Sequence, residues 1–179
     1  MGRDTRPTVD ETLPPMIISA SYRTDIPALL ARCAHDAGIS PELIEIELTE
    51  STLMQDSEAI CEVIGAIKSQ GSTVAIDDFG TGYSSLAYLS RFHVDKLKID
   101  RSFITGSDTN EEDSTIVQMV TQMAHALKLH AVAEGVETQT QLMRLRHCGC
   151  DVVQGFLVSR PLSAIHFEHF VQNWSSKHR

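Results

Sequence analysis

Five short stretches of this sequence carry polar groups that could act together on a phosphate ester: Glu47, Asp77-Asp78, Lys98, Glu134 with Glu137, and Gln154. A ring of carboxylates around one lysine is repulsive without counter-ions. Hard divalent cations with oxygen ligands solve that problem. Two of them a few ångströms apart can clamp a phosphodiester and activate the attacking water.

Asp77-Asp78 is the most informative pair, because it directly follows the apolar run 74–76. Neighbouring strand residues point to opposite faces. Where the backbone turns at a strand end, one aspartate can bridge two metals while the other holds only the second. A capping or turn role accounts for one aspartate there more easily than for two. Lys98 stays open between a solvated strand-end lysine and a cation that orients a water or neutralises a phosphate oxygen. An N-terminal helix dipole explains Glu137 and leaves Glu134 unexplained.

The elements that must position these groups alternate. Apolar or alternating runs at 16–21, 43–49, 74–76, 97–100, 131–134 and 152–154 suit strands. Asp25 is placed to cap a helix with the face Leu29, Leu30, Cys33 and Ala37, stopped by Gly38. Ile60, Val63, Ile64 and Ile67 form a helical stripe. A short helix through Leu86 and Leu89 follows the glycine-rich turn 79–82, and Ile116, Val120, Met123 and Leu127 mark another helix. Thr138 with Gln141 makes a capping box before Leu142 and Leu145. Ser163 precedes a helix with Phe167, Phe170, Val171 and Trp174. Such a series implies parallel strands with helices outside. Glu47, Asp77-Asp78, Lys98, Glu134-Glu137 and Gln154 then fall at or just past strand C-terminal ends, where barrels build active sites. The expected class is α/β, an incomplete barrel of about six strand–helix units, since a full barrel takes about 250 residues. Residues 1–13 are expected to be a flexible lead and 14–179 the barrel domain.

Several functions are excluded. No GxGxxG follows a strand, no lysine completes a phosphate loop, no HRD precedes Asp78-Phe79-Gly80, and no G-x-S-x-G elbow is present. His166 and His169 read as a solvated helix face. The net charge of −9, with no block of Lys or Arg, argues against polymeric nucleic acid and anionic membrane as partners. No apolar run approaches a membrane span, and the first residues lack a signal-peptide core, so a cytoplasmic location is expected. Cys33 and Cys61 are expected to be buried free thiols, and the Cys148/Cys150 pair has no second cluster to complete a zinc site.

Glu45-Ile46-Glu47-Leu48-Thr49-Glu50-Ser51, Ile76-Asp77-Asp78-Phe79-Gly80-Thr81-Gly82-Tyr83-Ser84-Ser85-Leu86, Lys98-Ile99-Asp100-Arg101-Ser102-Phe103-Ile104, Ala133-Glu134-Gly135-Val136-Glu137-Thr138 and Gln154-Gly155-Phe156 together, in order and spacing, resemble the EAL domain family of bacterial cyclic di-GMP phosphodiesterases. The resemblance runs from about residue 16 to the end. It implies a barrel, Mg²⁺ or Mn²⁺, and opening of cyclic di-GMP to linear pGpG. Residue by residue, it implies that Glu47 and Asp77 are metal ligands, Asp77 bridging, and that Asp78 and Glu134 serve the second metal. Lys98 matches the holder of the nucleophilic water, and Glu137 and Gln154 match further active-site positions, Gln154 on the substrate side. Glu50 matches the anchor of the 78–85 loop, which in the family links the site to the dimer face.

The Glu-Ala-Leu motif that names the family is absent, and with it a first-metal glutamate and the arginine after it. The asparagine ligand of the same metal is absent too, since the chain's asparagines are Asn110 and Asn173. The expectation is a phosphodiesterase by lineage with weak or no turnover as this chain. The alternative is a non-catalytic module that binds cyclic di-GMP or another protein. Unpaired sheet edges favour a homo-oligomer.

Overall fold

The computed structural model describes residues 25–53, 57–80, 89, 91–106 and 111–177. The expected lead, the strand over 16–21, the turn beyond Gly80 and the helix around Leu86 lie outside them; Leu89, the helix's other marker, is buried.

Helix α1 (Ile26–Ala37) and a 3-10 turn (Pro41–Leu43) lead into β1 (Glu45–Thr49). Helices α2 (Glu50–Leu53) and α3 (Ser57–Ser69) precede β2 (Thr73–Phe79). Then come β3 (Lys96–Ile99), α4 (Arg101–Gly106), α5 (Glu111–Ala126), β4 (His130–Ala133), α6 (Gln139–Cys148), β5 (Val152–Val153) and α7 (Ala164–Lys177). All five expected strands that fall on described residues are present. Asp100, Glu134 and Gln154 sit one residue beyond their strands, and Leu43 belongs to the 3-10 turn.

The five strands are parallel and lie in sequence order, β1-β2-β3-β4-β5. A doubly wound sheet reverses direction at a switch point, whereas a barrel wall keeps its order. Side chains also report the curvature. Lys96 pairs with Glu45 at 2.9 Å, and Lys98 pairs with Glu47, in each case across the intervening β2. Such contact between alternate strands fits a concave sheet, as in the layered interior of a barrel. The opposite face carries Ile46, Val74, Ile76, Leu97 and Ile99, all at most 2% exposed, against helices such as α3 through Ile64 and Ile67.

Local signals explain the helix ends. Asp25 Oδ1 accepts the Ala28 amide at 3.0 Å. Thr138 Oγ1 accepts the Gln141 amide, and Gln141 Oε1 accepts the Thr138 amide, so the expected capping box forms. Ser163 precedes α7, but its hydroxyl meets His166 Nδ1 at 2.8 Å.

The face of α1 differs from expectation: Leu30 and Ala34 are buried, whereas Cys33 is exposed. The helix packs along α3 through a narrow contact, and one pair a turn apart fills it. All four cysteines are free, and Cys61 is half-buried. Cys150 is buried, with its thiol 3.3 Å from the carbonyls of Ala131 and Val152.

At the strand-start end of the sheet one arrangement occurs twice. Asp95, just before β3, accepts the Val74 amide at 2.9 Å and the Lys68 ammonium of α3. Asp151, just before β5, accepts the Ala131 amide at 2.8 Å and lies 2.8 Å from His125 Nε2 of α5. Each aspartate also donates its own amide to the same strand residue it caps, Val74 or Ala131.

Candidate active site

The pairing of β2 with β3 breaks where the chemistry gathers. Ile76 pairs with Leu97 and Phe79 with Ile99, so Asp77 and Asp78 on β2 face the single residue Lys98 on β3. This is a β-bulge, a device that re-aims side chains next to active sites. Asp78 adopts φ 56° within it, a left-handed conformation that aspartate tolerates better than most residues. Its amide donates to Asp77 Oδ1 at 3.0 Å. The sequence suggested a strand ending at the aspartates; instead β2 runs on to Phe79.

Lys98 is the hub. Its Nζ contacts Glu47 Oε1, Glu134 Oε1 at 2.6 Å and Asp77 Oδ1 at 3.1 Å. Its side chain is 5% exposed, and so is out of water. The solvated reading of this lysine is therefore wrong. Burial alone lowers a lysine's pKa. Here the hydrogen bonds to Glu134 and Glu47 outweigh burial and hold the ammonium above its usual range. Burial pushes both the Glu47 and Glu134 carboxyls up, against the pull of Lys98.

The other expected residues lie at or near the same end of the sheet. Asp78 is exposed, and its carboxyl is pushed up by burial and by the neighbouring charges of Asp77 and Asp100. Glu137 and Gln154 are exposed at the same end of the sheet. The Glu137 amide donates to Gln141 Oε1 at 2.8 Å, and the Gln154 amide to the Ala133 carbonyl at 2.8 Å. Gly135, between Glu134 and Val136, has φ 68°, and a Cβ there would lie 2.6 Å from Arg101 Cβ. Only glycine lets this turn press against the start of α4. Glu50 is buried, its Oε2 accepting the Gly80 amide at 3.1 Å. Among the described residues, its Oε1 is buried without a partner.

Sequence reasoning missed the Lys96–Glu45 pair one layer below, 2.9 Å apart and largely buried. Its signal was available: Glu45 and Glu47, like Lys96 and Lys98, are spaced two apart and therefore share a face. A cavity of about 380 Å³ at the opposite end of the sheet, lined by Lys68, Phe92, His93 and Lys128, shares no residue with this cluster.

The donors around Lys98 are all carboxylate oxygens, the chemistry of a hard-cation site. Among the described residues, no three His, Cys, Asp or Glu side chains close on one point as a finished cation cage. The Lys98 ammonium stands where Glu47, Asp77 and Glu134 converge. No helix among the described residues is long and apolar enough to cross a membrane.

Comparison with known proteins places this arrangement. The EAL domain family model matches residues 15–161. The protein named cyclic di-GMP phosphodiesterase NbdA, from Pseudomonas aeruginosa, is 45% identical over 136 residues, covering 76% of this chain and 17% of that protein. The chain thus spans about a sixth of the length of the curated relatives it matches. The solved PaMucR phosphodiesterase in complex with c-di-GMP superposes with a TM-score of 0.78 at 37% identity, covering 82% of this chain and 59% of that one. The manganese/cy-diGMP complex of Klebsiella pneumoniae BlrP1 gives 0.72 at 35% identity, covering 78% and 36%. With the strand order, the bulged aspartate pair and the lysine hub already in place, the match over most of its length establishes that this chain belongs to the EAL domain family.

Proposed function

We propose that this chain is the hydrolytic domain of a metal-dependent phosphodiesterase that opens cyclic di-GMP to linear pGpG. The observation that carries the reading is the convergence of Glu47, Asp77 and Glu134 on Lys98 at one end of a parallel sheet. The names of NbdA and of the PaMucR complex support the substrate. The manganese complex of BlrP1 supports a divalent cation.

Glu47, Asp77, Asp78 and Glu134 would be the oxygen donors for Mg²⁺ or Mn²⁺. Bound metal supplies Lewis acidity and a water that ionises near neutral pH. Lys98 now shares those oxygens, and its ammonium is the group that would hold the attacking water or a phosphate oxygen beside a bound cation. Glu137 and Gln154 border the substrate. Glu50 holds the backbone at Gly80.

A second reading, a module that binds the nucleotide without turnover, is favoured by one observation. Lys98 already pairs with Glu47, Asp77 and Glu134 from within the chain, so an ammonium holds the oxygens a cation would need. Incubation of the chain with cyclic di-GMP and Mn²⁺, followed by chromatography, separates the two. Formation of pGpG that Asp78→Ala abolishes supports the enzyme; binding without product supports the module.

A further inference from the structure

The cavity at the strand-start end of the sheet stands apart from the carboxylate cluster and has a chemistry of its own. Its volume of about 380 Å³ falls within the range of small-molecule sites. Phe92, Val94 and Leu129 supply an apolar floor, each at most 8% exposed. Lys68, His93 and Lys128 supply the polar part, and among the described residues no acidic side chain lines it. In a chain of net charge −9, three basic groups around one hollow reverse the sign locally.

The two segments that form the walls are tied together. The His130 amide, before β4, donates to the Asp95 carbonyl, before β3, at 3.0 Å, and the Asp95 amide donates to the Val74 carbonyl at 2.8 Å. Lys68 is held by the Asp95 carboxylate, so its charge is largely answered. Lys128 and His93 are exposed, and among the described residues no carboxylate pairs with either.

Lys128 also stands where glycine would be at ease. It follows α5 at φ 62°. Its amide donates to the His125 carbonyl at 3.0 Å, and the Leu129 amide donates to the Ala124 carbonyl at 2.8 Å. Glycine ordinarily fills this kind of helix ending, and a lysine there accepts backbone strain. Those two amides already satisfy end carbonyls of the helix. What lysine adds over glycine is an ammonium at the cavity.

We propose that this cavity binds a small organic anion, a carboxylate or phosphate on a flat apolar body. The body lies against Phe92 and Leu129, and the head group meets Lys128 and His93. The site is independent of the phosphodiesterase reading, since it shares no residue with the cluster around Lys98. Lysine offers a point charge and not a bidentate fork, so selectivity rests on the apolar body as much as on the head group.

Calorimetry on the full chain with 1-naphthoate, 1-naphthalenemethanol and inorganic phosphate tests the site, and amide shifts in NMR spectra locate it. Naphthoate is expected to bind, with shifts gathered at His93, Val94 and Leu129. The alcohol and inorganic phosphate should each bind roughly fivefold more weakly or worse. Lys128→Glu should weaken naphthoate roughly tenfold, and Lys128→Gly roughly threefold or more. Lys128→Gly should also raise the melting temperature, because glycine relieves the strain; a lost ligand group is thereby separated from a damaged fold. Comparing 1-naphthyl phosphate with naphthoate names the preferred head group, and either order upholds the site. The proposal is overturned if naphthoate does not bind, or binds no better than the alcohol or inorganic phosphate. It is equally overturned if Lys128→Gly binds naphthoate as the wild type does, or if the shifts gather around Glu47 and Glu134 instead.

Discussion

Asp77 Oδ1 lies 3.1 Å from Lys98 Nζ and accepts the amide of Asp78 at 3.0 Å. One oxygen therefore ties the bulged backbone of β2 to the ammonium of β3. The register break and the charge cluster are a single feature, and perturbing either should disturb the other.

Replacing Lys98 with methionine removes that tie and leaves Glu47 and Glu134 facing each other in a poorly hydrated space. Breaking a buried ion pair from one side costs about 3 kcal/mol or more. Urea denaturation should show a loss of that order. Mn²⁺ should then restore more stability to Lys98→Met than to the wild type, because the cation no longer competes with an ammonium. Equal Mn²⁺ effects on the two would mean that the carboxylates around Lys98 are not the metal's ligands. On the same grounds Asp77→Ala should weaken Mn²⁺ binding in calorimetry.

Asp78 sits at φ 56°. Glycine adopts that conformation without the strain a side chain brings, a difference of about 0.5–1 kcal/mol. Asp78→Gly should therefore raise the urea midpoint slightly while destroying hydrolysis, and Asp78→Ala should lower the midpoint. A glycine variant less stable than the alanine variant would contradict the assignment of strain here.

Burial pushes the Cys150 thiol up to about 12 from an ordinary value of 9.0. Below pH 9 both folded and unfolded chains hold the proton, and this group's share of stability is complete. Between 9.0 and about 12 the unfolded chain releases the proton and the folded chain keeps it, so stability falls as pH rises, by up to about 1.4 kcal/mol per pH unit. Cys150→Ala should flatten that decline. At pH 8 iodoacetamide should label the exposed Cys33 quickly and reach Cys150 only on unfolding.

Asp95→Ala should leave the Val74 amide without its side-chain acceptor and Lys68 without its partner; Asp151→Ala should do the same to Ala131 and His125. Each lost acceptor should cost about 1–3 kcal/mol. Because the two arrangements share no partner, the double variant should show the sum. A strongly non-additive result would mean that the units are coupled through the sheet.

Among the described residues, β1 and β5 each pair along one edge only, which favours self-association. Light scattering on the purified chain is expected to give a dimer or larger, and a compact monomer would count against this.

Much of this molecule was legible in its residues, for identifiable reasons. The strands declare themselves as apolar or alternating runs, and Thr138 with Gln141 marks α6 through a local rule. What was missed depends on partners far along the chain. The bulge at Asp77-Asp78 arises from pairing with β3, which no pattern within β2 can express. Lys98 looks like a surface lysine until the sheet curls and brings in Glu47, 51 residues earlier. Helix α4 did have a local signal, Asp100 accepting the Ser102 amide at 2.9 Å, but its six residues are too few to show a periodic face. The exposure of Cys33 was misjudged because an apolar stripe on a helix does not say how wide its contact with α3 will be.

The paired aspartates at the strand starts have a consequence for how the chain comes apart. Each joins a helix, the strand after it and the strand after that: α3, β2 and β3 through Asp95, then α5, β4 and β5 through Asp151. The β3–β4 seam is bridged differently, by the His130 amide donating to the Asp95 carbonyl. The strand-start end of the sheet is therefore hemmed twice, and between the hems β3 and β4 are held by their own ladder of four residue pairs. At that end neither aspartate side chain crosses from β3 to β4, so amide hydrogens beside Lys96 and His130 should exchange before those of the rest of the ladder that joins these strands.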